Sequence, residues 1–335
     1  MNIKKTQSFI TENAIYIVLV VLVIAIAVYD PHFIGFNTLR DILIQSSTRV
    51  IIALGVAFIL ITGGTDLSAG RMVGLTAVIS ASMLQEPDYA RRFFPDLPQL
   101  WLFIPILIAI FVGVIFGLIN GVIVSKFKVP PFIATLGTMV AIYGINSLYF
   151  DTEPNNSQPI GGLRDDFTTL GSGSFGKGDL SLPYIVIFAV AICFIVWVLF
   201  NKTRLGKNMY AIGGNMQAAK VSGINVVLTL ILIYSIAGAL YGTAGVLEAA
   251  RTGGATNNYG NMYELDAIAA CVVGGVSTTG GIGTVPGVMA GVLIFTVINY
   301  GLTFIGVGPY WQQIIKGAII VTAVAFDMRK YAAKR

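Results

Sequence analysis

The sequence has few charged residues and very little cysteine or histidine. Charged residues make up 11% of the 335 positions, against about 25% in soluble domains, and the chain has two cysteines and one histidine. It contains no GxxxxGKS/T phosphate loop and no HExxH, CxxC or GxSxG motif. We therefore expect no ATP hydrolysis, no metal-dependent or serine hydrolase chemistry, and no bound cofactor in this chain.

Apolar residues dominate what remains. They account for 56% of the chain, and the mean hydropathy is +0.81. The apolar runs are continuous rather than alternating, which indicates membrane-spanning helices and excludes an outer-membrane barrel. Basic residues lie at the ends of these runs, so the net charge of +5 reflects membrane topology and gives no reason to expect nucleic acid as a partner. We predict an all-α polytopic membrane protein in contact with membrane lipid.

The apolar runs predict ten transmembrane helices in a single transmembrane domain that covers residues 1–335. The predicted spans are 14–29, 39–63, a third that ends near residue 84, 101–124, 129–150, 184–200, 224–247, two within 267–307, and 310–327. The positive-inside rule places both termini and the segment 201–223 in the cytoplasm, and the base-poor segment 151–183 outside. Two glycine-rich junctions, GGTDLSAGRMVGL and GGVSTTGGIGTVPGV, are consistent with inverted five-helix repeats.

A polar segment divides the apolar chain near its middle. Residues 201–223, NKTRLGKNMYAIGGNMQAAKVSG, contain four basic residues and no acidic residue. We expect Asn215 to cap a short helix that ends at Gly223, where helices often carry a glycine. Ala218 and Ala219 would give this helix a smooth face for docking into a groove of another protein. The alternative is an ordinary cytoplasmic loop that fixes topology.

Glycine-rich breaks and polar side chains supply the candidates for a transport pathway. Irregular backbone at membrane depth is tolerated only where protein or water covers it, which favours a gate at such breaks. The gate and pathway candidates are Gly63, Gly64, Asp66, Asn120, Asn146, Gly274, Gly275, Gly281 and Asn299. The alternatives are close helix packing for the glycines, helix capping for Asp66 and interhelical hydrogen bonding for the amides. Apart from Glu248 and Lys316 the interior is expected to be uncharged, which suits a neutral polyhydroxylated solute.

Several motifs resemble those of bacterial sugar permeases. GGTDLSAG, NKTRLGKNMYAIGGN and TNNYGNMYELDAIAACVVGG resemble the permease subunits of ABC importers for ribose, xylose, arabinose and galactose, with galactose favoured. MQAAKVSGI resembles the EAA-type loop of ABC-importer permeases, and Met216 or Gln217 stands where many such loops carry glutamate.

The resemblance implies partners and a transport cycle. It implies a homodimer in the bacterial inner membrane, a cytoplasmic ATPase subunit that binds ATP and Mg²⁺, and a periplasmic sugar-binding protein. The ATPase would dock on 201–223 and drive alternating access for a monosaccharide. The implied coupling residues are Asn215, Gln217, Ala218, Ala219 and Gly223. The alternative function is a stand-alone secondary transporter or channel for a small neutral solute, which would need buried ion-coupling groups.

Overall fold

The computed structural model describes residues 14–176 and 181–332, and most of these residues are helical. The α-helices of this part are α1 (Ala14–Tyr29), α2 (Phe36–Ile61), α3 (Ala69–Met83), α4 (Phe103–Ser125), α5 (Pro131–Phe150), α6 (Asp165–Ser172), α7 (Tyr184–Lys202), α8 (Arg204–Gly214), α9 (Met216–Val221), α10 (Val226–Thr252), α11 (Tyr263–Val273), α12 (Val285–Phe304) and α13 (Pro309–Ala332). A 3-10 turn, Pro31–Phe33, follows α1, and the strands β1 (Ser174–Phe175) and β2 (Leu182–Pro183) pair antiparallel before α7. The two chain ends, predicted to be cytoplasmic, lie outside the described residues.

Six helices of the described part are long and apolar enough to cross a membrane, namely α2, α4, α5, α7, α10 and α12. Each coincides with a predicted span to within a few residues. The other four predicted spans fall on α1, α3, α11 and α13. The protein is therefore an all-α polytopic membrane protein.

Helix α10 is the centre of the bundle, and α2, α3 and α4 pack around it. Its contact with α4 is backbone against backbone, because Gly238 of α10 and Gly113 of α4 face each other. A side chain at either glycine would overlap with the carbonyl oxygen of the other. Burial of apolar surface does not draw helices together in lipid, so close van der Waals packing of small residues stabilises this pair.

Large apolar side chains cover the outer surface of the bundle. Helices α4, α5 and α7 expose Leu107, Phe111, Leu148 and Phe194 among others, while most of α2 is enclosed. This pattern inverts that of a soluble protein, because lipid solvates apolar side chains but cannot satisfy polar ones. Many polar side chains, among them Thr48, Asp66 and Asn120, are consequently buried inside the bundle.

Helices α3 and α11 are too short to cross the hydrocarbon layer by themselves. With 15 and 11 residues they extend roughly 22 and 16 Å, against about 30 Å of hydrocarbon. Irregular segments precede them, residues 62–68 before α3 and 253–262 before α11. The start of α3 contacts the start of α11 and the segment before it, since a side chain at Gly70 would overlap with the carboxylate of Glu264 and the carbonyl oxygen of Gly260. The bundle thus contains two broken helices whose N-terminal ends are in contact.

Contacts between the connecting segments sort them into two groups. In the first group, β-bridges join Gln85 to Leu163 and Ile160 to Ala255, and so connect three segments after α3, α5 and α10. The second group joins the segments after α2, α7 and α11 through contacts described below. The two groups correspond to the opposite sides that the predicted alternation of ten spans assigns to them.

Candidate functional site

The basic segment 201–223 folds into two helices, α8 and α9. Asn215 Oδ1 accepts a hydrogen bond from the Ala218 N–H at 2.9 Å and caps α9. At the other end Gly223 has φ +83°, and its N–H donates to the Lys220 carbonyl at 3.1 Å. The predicted cap and end of the short helix are confirmed, and α8 is an additional helix that the sequence analysis did not predict.

Helix α9 has an exposed face with an apolar side chain at its end. Gln217, Ala218 and Lys220 are exposed, and Val221 is 90% exposed. Ala219 by contrast is buried against the rest of the chain. Consecutive helix residues point about 100° apart, so the two alanines cannot share a face fully. The expectation that both lie on a smooth docking face is wrong for Ala219.

The inner face of α8 contacts two distant connections through backbone atoms. A side chain at Gly213 would overlap with the carbonyl oxygen of Ile61, at the end of α2. The same carbonyl accepts a hydrogen bond from the Gly281 N–H at 2.8 Å, and the Tyr210 hydroxyl donates to the Gly283 carbonyl at 2.7 Å. We call these contacts the glycine junction, formed by residues 61–63, 210–214 and 280–283. It joins the basic segment to both glycine-rich connections.

The predicted gate glycines are of two kinds. Gly63, Gly275 and Gly281 have φ angles of +81°, +85° and +77°, a region that glycine adopts without strain. Gly63 and Gly281 belong to the glycine junction, and Gly275 lies at the start of the connection that leads to it. Gly64 and Gly274 are closely packed instead. Gly64 lies against side chains of α2 and α10, and a side chain at Gly274 would overlap with the backbone of α12.

Asp66 and Asn120 are buried and hold the irregular segment before α3. Asp66 Oδ1 accepts hydrogen bonds from the Ser68 N–H at 2.9 Å and the Ser68 hydroxyl at 2.6 Å. Asn120 Nδ2 donates to the same hydroxyl oxygen at 2.9 Å, and the Leu67 N–H donates to Thr135 Oγ1 at 3.1 Å. These bonds satisfy polar groups that lipid could not, which is the condition for irregular backbone at membrane depth.

Asn146 of α5 has a similar place beside the segment before α11. Its Nδ2 donates to the Asn257 carbonyl at 3.3 Å, and Asn257 Nδ2 donates to the Ser147 hydroxyl at 3.4 Å. Asn146 is buried, and its Oδ1 has no hydrogen-bond partner among the residues that the structure describes. In this fold Asn146 therefore contributes a hydrogen bond between segments.

Glu248, one of the two expected exceptions, is enclosed within the bundle. Glu264 is enclosed as well, so the expectation of an otherwise uncharged interior is wrong. Glu248 of α10 accepts a hydrogen bond from the Thr48 hydroxyl at 2.8 Å and pairs with Arg251 at 2.7 Å. Glu264 is buried at the start of α11, and its Oε2 has no hydrogen-bond partner within the described ranges. The burial of these carboxylates was predictable from the sequence, because ionisable residues within apolar runs are rare and face the interior of the bundle.

A cavity of about 220 Å³ lies between α2, α11, α12 and α13, and we call it the polar cavity. Three charges meet at its wall, where Lys316 Nζ lies 3.0 Å and Arg49 Nη1 3.6 Å from Asp266 Oδ2. The Arg49 guanidinium also stacks on the Tyr263 ring, 3.6 Å from its centroid. Asn299, a predicted pathway residue, lines the same cavity. The sequence analysis missed Arg49 and Asp266, although both are charges beside apolar runs.

Comparison with known proteins decides the family. Residues 38–324 match the family described as branched-chain amino acid transport system / permease component. The chain belongs to this family. Together with the six span-length helices, this membership makes the chain a multi-pass permease of the bacterial inner membrane.

The relatives of this permease match it over nearly its full length. The galactose/methyl galactoside import permease protein MglC of Haemophilus influenzae (strain ATCC 51907 / DSM 11121 / KW20 / Rd) is 56% identical over 335 residues, 99% of each chain. The protein of the same name from Escherichia coli (strain K12) is 55% identical over 100% of this chain and 99% of its own. The ribose import permease protein RbsC of Bacillus subtilis (strain 168) is 37% identical over 94% of this chain and 92% of its own. No solved structure matches the permease.

Proposed function

We propose that the chain is the permease subunit of an ATP-binding cassette importer that carries galactose or methyl galactoside from the periplasm to the cytoplasm. The observation that carries the proposal is the identity of 54–56% to three galactose/methyl galactoside import permeases, against 35–37% to ribose import permeases. The family description refers to branched-chain amino acids, but these sugar permeases match the chain over its whole length. A monosaccharide is therefore the favoured solute.

The basic segment 201–223 is the proposed docking surface for a separate cytoplasmic ATPase subunit, which would bind ATP and Mg²⁺. Ala218 and Val221 lie on the exposed face of α9, while Asn215 and Gly223 define its two ends. The glycine junction would pass a movement of α8 to the connections after α2 and α11. Alternating access would follow from a rearrangement of those connections.

The proposed topology has ten spans, both termini in the cytoplasm, and two inverted halves of five helices. The sorting of the connections into two groups supports it, as does the presence of one broken helix in each half. Residues 151–183 would face the periplasm with the rest of their group. They would offer part of a surface to a periplasmic sugar-binding protein.

We also propose a homodimer, which the resemblance to sugar permeases implies. Helix α5 leaves Gly137 and Gly144 uncovered on its outer face, with no heavy atom of the described chain within 4 Å of an added Cβ. Small residues of this kind are enriched where helices meet in lipid. The outer face of α5 is therefore a candidate for the contact between the two copies.

Uptake competition tests the proposed solute. Cells with the importer that contains this permease should accumulate labelled methyl galactoside, and excess galactose should suppress the accumulation because both sugars use one path. The same concentrations of ribose and leucine should leave the initial rate unchanged. Suppression by leucine but not galactose would assign the chain to amino acid transport. Uptake without the ATPase partner would indicate a stand-alone secondary transporter.

Cysteine labelling tests the proposed topology. Val221→Cys should react with a membrane-impermeant maleimide only when the cytoplasmic side is accessible, whereas Gln158→Cys should react in intact spheroplasts. Both positions are exposed, and the native Cys193 and Cys271 are buried, so the unsubstituted permease supplies the background. Labelling of both variants from the same side would contradict the ten-span topology.

A further inference from the structure

Two residues that line the polar cavity have hydrogen-bonding atoms without a partner among the described residues. Asn299 Oδ1 is enclosed and has no hydrogen-bond partner among the described residues. Arg49 Nη1 likewise makes no hydrogen bond within that part of the chain, beyond its 3.6 Å ion pair with Asp266. Enclosed polar atoms without partners are unfavourable, so an occupant that offers both a donor and an acceptor would stabilise this site.

The chemistry of the lining fits a neutral polyol. Asn299 offers an amide that donates and accepts, Asp266 accepts, and Arg49 and Lys316 donate. Both unpartnered atoms are enclosed at the wall, so a sugar hydroxyl would bond to them once the Asn299 and Arg49 side chains turn toward the cavity that these residues line. Since Asp266 is already shared by two cations, the wall carries a positive excess, which disfavours a metal cation or an ammonium group as the occupant.

The position of the cavity suits a solute in transit. One wall is α11, a broken helix, whose C-terminal end leads to the glycine junction. Asn299 lies near the end of α12 and Gln312 near the start of α13, so the proposed topology places the cavity in the outer half of the membrane. A solute delivered from the periplasm would reach this level before it met the glycine junction on the other side.

We propose that the polar cavity is a binding site for the monosaccharide on its way through the permease, with Asn299 and Arg49 as its hydrogen-bonding contacts. The proposal rests on the proposed function as a sugar importer and adds the place where the sugar is held. Few polar contacts and weak binding suit this role, because a transported solute must also leave its site.

Asn299→Leu is the variant that tests the proposal. Leucine is close in size to asparagine but cannot bond to a hydroxyl. Because the Asn299 amide oxygen has no partner in the part of the chain that the structure describes, its loss should leave the melting temperature of the purified permease unchanged or higher. Methyl galactoside uptake at sub-saturating concentration should fall about threefold to tenfold, the effect of one lost hydrogen bond. Normal uptake at equal membrane abundance, or a parallel loss of stability and uptake, would overturn the proposal.

Two neighbouring glutamines on α13 provide a matched control. Gln312 lines the cavity and its Nε2 donates to the Val307 carbonyl at 2.8 Å and the Thr303 hydroxyl at 3.2 Å, whereas Gln313 is exposed beside it. The melting temperatures of both variants are measured with uptake, so that a loss of stability from these two bonds is separated from a loss of sugar binding. Gln312→Leu should lower sugar uptake, and Gln313→Leu should not. Equal effects of the two substitutions would count against the cavity as the site.

Protection from alkylation measures occupancy directly. In Asn299→Cys, saturating methyl galactoside should slow the reaction with a small thiol reagent, and the same concentration of leucine should not. Absence of protection in an importer that transports the sugar refutes the cavity site alone. Failure of the unsubstituted importer to take up galactose refutes the proposed function instead, so the two failures can be told apart.

Discussion

Gly213→Ala should cut sugar uptake at least about tenfold, whereas Gly214→Ala, one residue further along α8, should transport normally. A methyl group at Gly213 overlaps with the Ile61 carbonyl oxygen, which cannot turn aside, but a methyl group at Gly214 meets no heavy atom of residues 14–176 or 181–332 within 4 Å. Overpacking of this kind costs about 1–3 kcal/mol, and about 1.4 kcal/mol is a factor of ten in an equilibrium constant. Both substitutions replace glycine by alanine at the end of α8, so the difference between them isolates the contact of Gly213 with the Ile61 carbonyl within the glycine junction.

Three measurements on the reconstituted importer complete this comparison: ATP hydrolysis, sugar uptake and the melting temperature of the permease. Gly213→Ala should melt at a lower temperature and hydrolyse ATP without matching transport, because α8 is displaced from the two connections that it contacts. Gly214→Ala should equal or exceed the unsubstituted protein in stability, since alanine favours the helix. Identical results for the two variants would exclude a mechanical role for the glycine junction.

Val221→Glu should abolish co-purification of the ATPase subunit and, with it, sugar uptake. Val221 is 90% exposed at the end of α9, where the proposed docking would cover it. An unpaired charge enclosed at an interface costs roughly 3–5 kcal/mol, which is about a hundredfold or more in affinity. Amounts of permease in the membrane should not change, because the side chain has no role in the fold of the single chain.

Phe175→Glu is the control for this prediction. Phe175 is 72% exposed in β1, within the opposite group of connections, so its substitution should leave ATPase binding intact. Ala219→Glu is a poorer test, because Ala219 is buried and a glutamate there would also disturb α9. Normal ATPase recovery with Val221→Glu would exclude the end of α9 from the docking surface.

The spans and the cap of α9 were predictable because their causes are local. A continuous apolar run determines a membrane helix almost by itself, and the structure begins and ends these helices within a few residues of the predicted limits. The bond from the Ala218 N–H to Asn215 likewise spans only three residues. Composition and short-range patterning therefore sufficed for the helices that face lipid.

Contacts between distant residues were beyond such reasoning. The carbonyl of Ile61 meets Gly213 and Gly281, far apart in the sequence, and glycine patterning alone does not say which backbone each glycine approaches. The irregular segment before α3 is held in part by the hydroxyl of Thr135 in another helix, which accepts a hydrogen bond from the Leu67 N–H. Glu248 is enclosed with the hydroxyl of Thr48, two hundred residues away, as one of its partners, and the sequence alone does not reveal that pairing.

The glycine junction is formed largely by main-chain atoms, and this determines how it would transmit a movement of α8 to the connections. A displaced side chain can adopt another rotamer and absorb the motion, but a carbonyl at a helix end and a glycine packed on it have no such freedom. A shift of α8 by a fraction of an ångström would therefore arrive undiminished at the ends of two membrane segments. The ATPase subunit of the proposed importer would then need to move α8 by only a small distance to rearrange both connections.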